Sequence, residues 1–332
     1  MVTVLAEAIA KELSRRPANM ILTHMWSFGG ALAAEKAGLP YGVVSMAPVT
    51  WYSSADPSLI GPFEPPRWLR GWLERGPIRG VINRTFSRRL DGCAVSLGLP
   101  EKGRRFYAIQ AESILNIGLW SPRFRGPARD DPVQNAICGF PDPWQVREAP
   151  TLSPELASFI DAGDPPVVLG LGSALPRFAP EVYTLTWKAC SDLGLRAVFV
   201  GDVERGAVDA VSEDVLAVPY APYAALFPRA SVVMHHGGIG SLAEALCAGR
   251  PQVVIPCGAD QYDNAERVLR MGVARKIKRN RISRKRLASS IAACLSHESM
   301  KALALKTAEE VQAESDGAVV AARVVRERLA QS

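Results

Sequence analysis

Seven consecutive residues, His235-His236-Gly237-Gly238-Ile239-Gly240-Ser241, bring together two imidazoles, three glycines and a hydroxyl. Imidazole and hydroxyl groups can donate hydrogen bonds, and glycines let backbone N–H groups approach a ligand closely. The run follows Val232-Val233-Met234, an apolar segment of the kind that forms a buried parallel strand. Downstream, the pattern predicts a helix that starts at Ser241 and stops at Gly249, with Pro251 just beyond it. A helix start carries unpaired N–H groups and a partial positive charge. Strand, glycine loop and helix start together predict an anion site suited to phosphate. A second strand, Val253-Val254-Ile255, leads into another polar loop that holds Asp260 and Gln261.

These residues resemble the nucleotide-sugar signature of family 1 glycosyltransferases, in the bacterial form that acts on antibiotics, sterols and glycolipids. His236, Gly238, Ser241, Glu244, Gly249, Pro251, Pro256, Asp260 and Gln261 fall in the order and spacing of that signature, and Gly240 stands where plant members have Asn. Nine matched positions within 236–261 are far more specific than a lone glycine motif. The resemblance implies that His236, Gly238, Gly240 and Ser241 meet the donor diphosphate and that Glu244 meets the ribose. It also implies that Asp260 and Gln261 meet hydroxyls of the donor sugar. Val167-Val168-Leu169-Gly170-Leu171-Gly172-Ser173 is a second strand entering a glycine-serine loop, and the family gives its serine, here Ser173, to the diphosphate. Tyr220-Ala221-Pro222 resembles the family's Trp-x-Pro, which lies along the nucleobase, so Tyr220 and Pro222 are the candidates for that contact. Gly98-Leu99-Pro100, Gly139-Phe140-Pro141 and the run 156–166 are also similar to bacterial members.

Plainer roles exist for the same residues. Ser241 and Glu244 have the S-x-x-E spacing of a capping box, Asp260 and Gln261 could cap the helix that follows, and His236 could be a satisfied core histidine. His235 is expected to pack behind the loop.

The resemblance implies transfer of a sugar from a UDP or TDP sugar to a hydrophobic small molecule or lipid. In the family this proceeds with inversion by in-line displacement, a general base acting on the acceptor hydroxyl. Preorganised N–H groups, a helix dipole and His236 would stabilise the departing diphosphate. The sequence contains no DxD motif, the signature of metal-dependent glycosyltransferases, so neither a metal nor a cofactor beyond the nucleotide sugar is expected. The family's base is a His after the first strand of the N-terminal domain, oriented by an Asp after a later strand. Counting back sixteen from Pro40, His24 falls on the position of that Asp, at the end of a predicted strand and facing the expected cleft. His24 is therefore the candidate catalytic residue, and the base-bearing strand would lie upstream of Met1.

The implied fold is α/β, with two Rossmann-like doubly wound domains in the GT-B arrangement and the N-terminal one incomplete. Alternating strands and helices over 167–270 fit such a sheet in the second half. The expected boundaries are 1–145 for the partial acceptor-binding domain, 146–165 for a Pro-rich linker and 166–315 for the nucleotide-sugar-binding domain. A final helix, 316–332, is expected to pack back toward the first domain. In the first half, Met20–Thr23 and Tyr41–Ser45 are predicted strands around a helix at Gly29–Ala37, and 50–130 are predicted as mobile helices and loops. The amphipathic start (Val2, Leu5, Ile9, Leu13) and the edge of the Met20–Thr23 strand are expected to lack neighbours. Trp68 with Trp72 and Leu69 with Leu73 stand at i,i+4 spacing beside Arg67, Arg70, Arg75 and Arg79. That stripe suits core packing, an acceptor pocket or a membrane-facing helix.

Composition narrows the classes further. The 332 residues are 48% hydrophobic, enough for two cores, and no apolar run approaches the eighteen or so residues of a membrane span. The acidic, uncleavable N-terminal pattern is not a signal peptide. Six scattered cysteines lack metal spacing and suit buried thiols in a reducing cytoplasm. Residues 267–286 hold ten of the 39 Lys and Arg and no acid, so the rest of the chain stands at −4 against +6 overall. This basic stretch suits a solvated face, or a contact with anionic lipid or an acidic partner. No aromatic interleaving or recognition motif supports nucleic acid. Two rival classes stay open: a non-catalytic donor-binding relative, and an NAD-dependent oxidoreductase built on Gly170-x-Gly172 with Asp202. The latter is weakened by Leu175 at the position of the third glycine.

Overall fold

A computed structural model describes residues 1–141, 150–172, 180–201 and 213–331. Two compact units are present. One comprises Met1–Ser58, Glu64–Pro141 and Ser315–Ser332, the other Leu59–Phe63 and Asp142–Glu314.

The first unit starts with α1 (Val2–Leu13), β1 (Ile21–His24), α2 (Phe28–Ala37) and β2 (Tyr41–Ser45). Then follow α3 (Arg67–Arg75), α4 (Pro77–Ser96), α5 (Ala108–Ala111), β3 (Leu115–Gly118) and β4 (Asn135–Ile137). The four strands pair in parallel in the order β1-β2-β3-β4, so β1 forms an edge. The strands β3 and β4 were hidden in the sequence by their shortness and by the surrounding turn residues. The expectation that α1 lacks neighbours is corrected: its Val2, Ala6, Ile9 and Leu13 pack against Ile21 of β1, Leu32 of α2, Ala94 of α4 and Leu97 just after α4. The open edge of β1 does remain, with Leu22 half exposed.

The second unit contains α6 (Pro154–Asp161), β5 (Val167–Gly170), α7 (Pro180–Asp192), β6 (Ala197–Val200), β7 (Val215–Val218) and α8 (Tyr223–Leu226). It continues with β8 (Val232–His235), α9 (Ile239–Cys247), β9 (Gln252–Val254), α10 (Gln261–Arg270), β10 (Ala274–Lys276), α11 (Arg284–Ser296) and α12 (Glu298–Gln312). Its six strands are all parallel, in the order β10-β9-β8-β5-β6-β7. The inner strands β5, β6 and β8 are buried on both faces because both faces are covered. Val167, Leu169, Phe199, Val232, Met234 and Val253 share a core with α7 and α11, while Val168, Val198, Leu216 and Val233 share one with α6, α8 and α9. A helix expected at 205–213 falls largely outside the described residues.

The last helix, α13 (Gly317–Ala330), belongs to the first unit. Val320, Ala321, Val324 and Val325 cover Leu115, Ile117 and Cys138 on its sheet. The Gly317 N–H donates to the Phe140 carbonyl at 2.9 Å, and a Cβ at 317 would lie 2.2 Å from the Gly139 oxygen, so only glycine allows this approach.

Candidate functional site

The chain order of the second sheet creates a crevice at its centre. From β5 the chain moves outward through β6 to β7, then returns to place β8 on the other side of β5 and moves outward again through β9 to β10. Gly170, which ends β5, is paired with His235, which ends β8. The loops after these two strands therefore diverge at the topological switch point, where open parallel sheets bind ligands.

His235 fixes one of those loops. It is fully buried; its Nδ1 accepts the Gly237 N–H at 3.0 Å, and its Nε2 lies 2.9 Å from the Gln252 Oε1. An accepting Nδ1 leaves the proton on Nε2, which donates to Gln252. Burial pushes its pKa down to about 4, so the ring is neutral. Gly237 has φ +87°, a conformation that side chains rarely adopt, and the His235 bond holds it there.

His236 projects into the crevice from this anchored turn. A Cβ on Gly238 would lie 2.4 Å from its Nε2, and a Cβ on Gly172, at the end of the β5 loop, would lie 2.9 Å from its Cε1. The two glycines thus make a slot for the imidazole. Its Nδ1 is buried without a well-aligned partner, and burial lowers its pKa against the opposing influence of the Gly170 carbonyl. Gly170 itself is required on its other side, because a Cβ there would meet the Tyr223 hydroxyl at 2.3 Å. Tyr223, stacked on Phe227 at 4.3 Å, was not singled out by the sequence, where nothing distinguishes it from an ordinary helix-start residue.

The helix after His236 starts earlier than predicted. α9 begins at Ile239 with Gly238 as its N-cap, and no side chain caps it. The expected start at Ser241 and the capping box with Glu244 are corrected: Ser241 sits in the first turn, two residues past the helix start. The reason is that Gly238, extended at φ −61° and ψ 141°, already turns the chain into the helix. No side chain caps the helix from Gly238, and the first-turn N–H groups of Ile239, Gly240 and Ser241 have no intrahelical partner. Gly240 is exposed; Ser241 and, one turn further, Glu244 are half-buried.

Asp260 is the N-cap residue of α10, yet its side chain makes no capping bond. Its Oδ2 accepts from Asn264 Nδ2 at 2.7 Å, and that amide also donates to the Gly237 carbonyl at 2.9 Å. Asn264, fully buried, therefore ties the start of α10 to the glycine loop. It was missed in the sequence, although its position one turn after Asp260 is the available signal. Burial raises the Asp260 pKa. Gln261 uses its Oε1 to accept the N–H groups of Cys257 at 2.9 Å and Gly258 at 3.1 Å, which shapes the loop before α10. Tyr220 is 78% exposed between β7 and α8, and Pro222 is the N-cap of α8. Ser173 lies outside the described residues, as do Leu175 and Asp202.

His24, in the first unit, ends β1 and is partly buried. Its Nδ1 accepts the Trp26 N–H at 3.3 Å. Burial lowers its pKa; a carboxylate on the ring would act in the opposite direction. Among the described residues no group of three His, Cys, Asp or Glu side chains is placed to hold a metal, and no helix is long and apolar enough to cross a membrane. None of the six cysteines is in a disulfide; three are buried and three partly buried.

Residues 196–326 match the family model "Erythromycin biosynthesis protein CIII-like, C-terminal domain". O-mycaminosyltylonolide 6-deoxyallosyltransferase of Streptomyces fradiae is 37% identical over 200 residues, which cover 59% of this chain and 45% of that protein. The chain thus spans less than half the length of that relative. Glycosyltransferase GtfC of Amycolatopsis orientalis is 32% identical over 313 residues, 90% of this chain and 70% of its own length. Among solved structures, the glycotransferase of kitacinnamycin superposes with a TM-score of 0.75 at 20% identity, covering 99% of this chain and 80% of that one. The chain belongs to the antibiotic-type family 1 glycosyltransferases and has their GT-B fold. The NAD-dependent oxidoreductase alternative is set aside, since it leaves the matched family unexplained.

Proposed function

We propose that this chain takes a sugar from a nucleoside diphosphate sugar, with UDP or TDP as carrier, for transfer to a hydroxyl of a hydrophobic small molecule or lipid. The observation that carries this reading is the His236 imidazole, slotted between two glycines beside the uncapped start of α9, at the switch point of a parallel sheet. Neutral His236 carries one ring hydrogen, and with that hydrogen on Nε2 the ring would donate to a phosphate oxygen. The N–H groups of Ile239, Gly240 and Ser241 and the helix dipole would share the charge that builds on the leaving diphosphate. Ser173 would join them from the β5 loop. Glu244 would accept from ribose hydroxyls, and the exposed Tyr220, with Pro222, would line the nucleobase. Asp260, held by Asn264, and Gln261 would take hydroxyls of the sugar. Backbone dipoles and one imidazole suffice in this scheme, so neither a metal nor a further cofactor is invoked, and the anomeric centre inverts by direct displacement. Titration calorimetry of the whole chain with UDP and TDP tests the reading. His236→Gln should weaken the better nucleotide about tenfold or more, the worth of a charged hydrogen bond. Equal affinity for both proteins would sink the assignment.

A second reading, a donor-binding relative with weak transfer, is favoured by His24. An Nδ1 engaged by a backbone N–H leaves the proton on Nε2 and makes the ring a donor, whereas a general base needs a free ring nitrogen aimed at the acceptor. On this view His24→Ala changes the turnover number by less than about threefold, while loss of a working base costs roughly 10²–10⁴-fold. Steady-state rates with several nucleotide sugars and hydrophobic hydroxyl acceptors decide; robust turnover abolished by His24→Ala would make His24 the base.

A further inference from the structure

The aromatic stripe beside the arginines does not form core. On α3 the half-buried Leu69 and Leu73 turn inward, and Arg70 is buried, its Nε donating to the Pro65 carbonyl at 2.6 Å. Trp68 and Trp72, one turn apart, remain 76% and 60% exposed. Burial of a Trp removes a large apolar area from water, so two neighbouring exposed Trp on one helix face call for a partner. A single residue, Gly76, separates α3 from α4, where Val81 is 66% exposed and Arg84, Arg88 and Arg89 are all exposed. Residues 67–96 hold seven arginines against two acids, Glu74 and Asp91, a net charge of +5. Asp91 is engaged within the fold by the Arg104 guanidinium at 2.9 Å.

Within the hairpin Arg67 pairs with Asp56 at 3.1 Å and Arg79 lies over the Tyr107 ring, which leaves the exposed Arg84, Arg88 and Arg89 of α4 as the arginines offered to a partner. The basic stretch at 267–286 also spends part of its charge internally. Arg267 pairs with Asp263, Lys276 with Glu266 and Arg284 with Asp192. It also lacks any exposed aromatic.

We propose that the α3–α4 hairpin docks this protein on anionic lipid bilayers, with Trp68 and Trp72 in the headgroup region and the α4 arginines on lipid phosphates. Trp is the side chain suited to the boundary between headgroups and acyl chains, because its ring is apolar and its N–H seeks a polar partner. Exposed arginines add attraction to anionic headgroups that salt screens. The apolar and cationic groups share one short hairpin, which fits the composition of an interfacial helix. This inference is independent of the nucleotide site.

Co-sedimentation of the whole chain with phosphatidylcholine vesicles, with and without phosphatidylglycerol, tests it. The expected result is binding to the anionic vesicles, weakened by raised salt and accompanied by a blue shift of Trp emission. Two double variants, Trp68→Ala with Trp72→Ala and Arg84→Glu with Arg88→Glu, should each bind at least tenfold more weakly while keeping nucleotide affinity, which shows that they fold. Charge reversal at Arg281 and Lys285 should leave vesicle binding within threefold. Any of the following overturns the proposal: equal binding to neutral vesicles, hairpin variants that still bind, dependence on Arg281 and Lys285 instead, tighter retention by a single-stranded oligonucleotide, a dimer in light scattering that the Trp variants dissolve, or a Trp variant that changes only the acceptor KM.

Discussion

Gly238→Ala is expected to lose more than a hundredfold in UDP or TDP affinity, about 3 kcal/mol or more, while the protein stays folded. Gly238 is extended at φ −61° and ψ 141°, values that alanine adopts freely, so the backbone has no objection to the change. The obstacle is steric and specific. The new Cβ would lie 2.4 Å from the His236 Nε2, so the ring must shift out of the slot that it occupies between Gly238 and Gly172. Displaced from its slot, the imidazole withdraws its donor from the crevice and narrows access to the first turn of α9. Both groups proposed to hold the diphosphate suffer together, which is why the loss should exceed that of His236→Gln. Stability should fall by only about 1 kcal/mol, because alanine is a poorer N-cap than glycine. Gly240→Ala is the companion measurement: nothing lies within 4 Å of its Cβ position, so the fold should be indifferent to it. Calorimetry and thermal melting on the three proteins check this. Gly238→Ala binding within threefold of the parent would show that the slot does not position the donor contact.

Acid should destabilise the second unit through His235 by about 3 kcal/mol between pH 6.5 and 4. The folded pKa of this residue is pushed down to about 4 by burial, whereas an unfolded chain holds it at the ordinary 6.5. Below 6.5 the unfolded state therefore binds a proton that the folded state refuses. The contribution to stability is complete above pH 6.5, declines as pH falls, and is exhausted near pH 4, where the folded form protonates too. The geometry supplies the reason: a proton on Nδ1 would face the Gly237 N–H at 3.0 Å, donor against donor, and would release the turn that presents His236. His236, also shifted down by burial, adds in the same direction. Urea unfolding followed by circular dichroism at several pH values checks this. His235→Asn should be less stable at pH 7, having lost the bond to Gln252, yet flatter between pH 6.5 and 4. An equally steep dependence in the variant would remove His235 as its source.

Sequence alone determined the family and the alternating strand–helix pattern of the second unit, while β10 and the strand order came only with the structure. Most of its strands are short apolar runs, the pattern expected where helices cover both sides of a parallel sheet. The motif spacing within 236–261 needed no coordinates, because a phosphate-binding turn requires glycine at particular backbone positions and that requirement is written residue by residue. What the sequence could not supply were the relations between side chains distant along the chain. The S-x-x-E spacing of Ser241 and Glu244 promised a capping box, but the turn at Gly238 starts the helix two residues earlier, with no side chain capping it. Asn264 and Tyr223 looked ordinary until folding brought one to Gly237 and the other to Gly170. The adjacent histidines are identical in type; only burial and partners separate an anchor bound to Gln252 from a ring held in a glycine slot. In the first unit, i,i+4 spacing sorted the Trp and Leu pairs of α3 onto neighbouring stripes but could not say which faced inward. That was decided by tertiary packing, since periodicity fixes which residues share a face and only the neighbouring elements determine which face water sees.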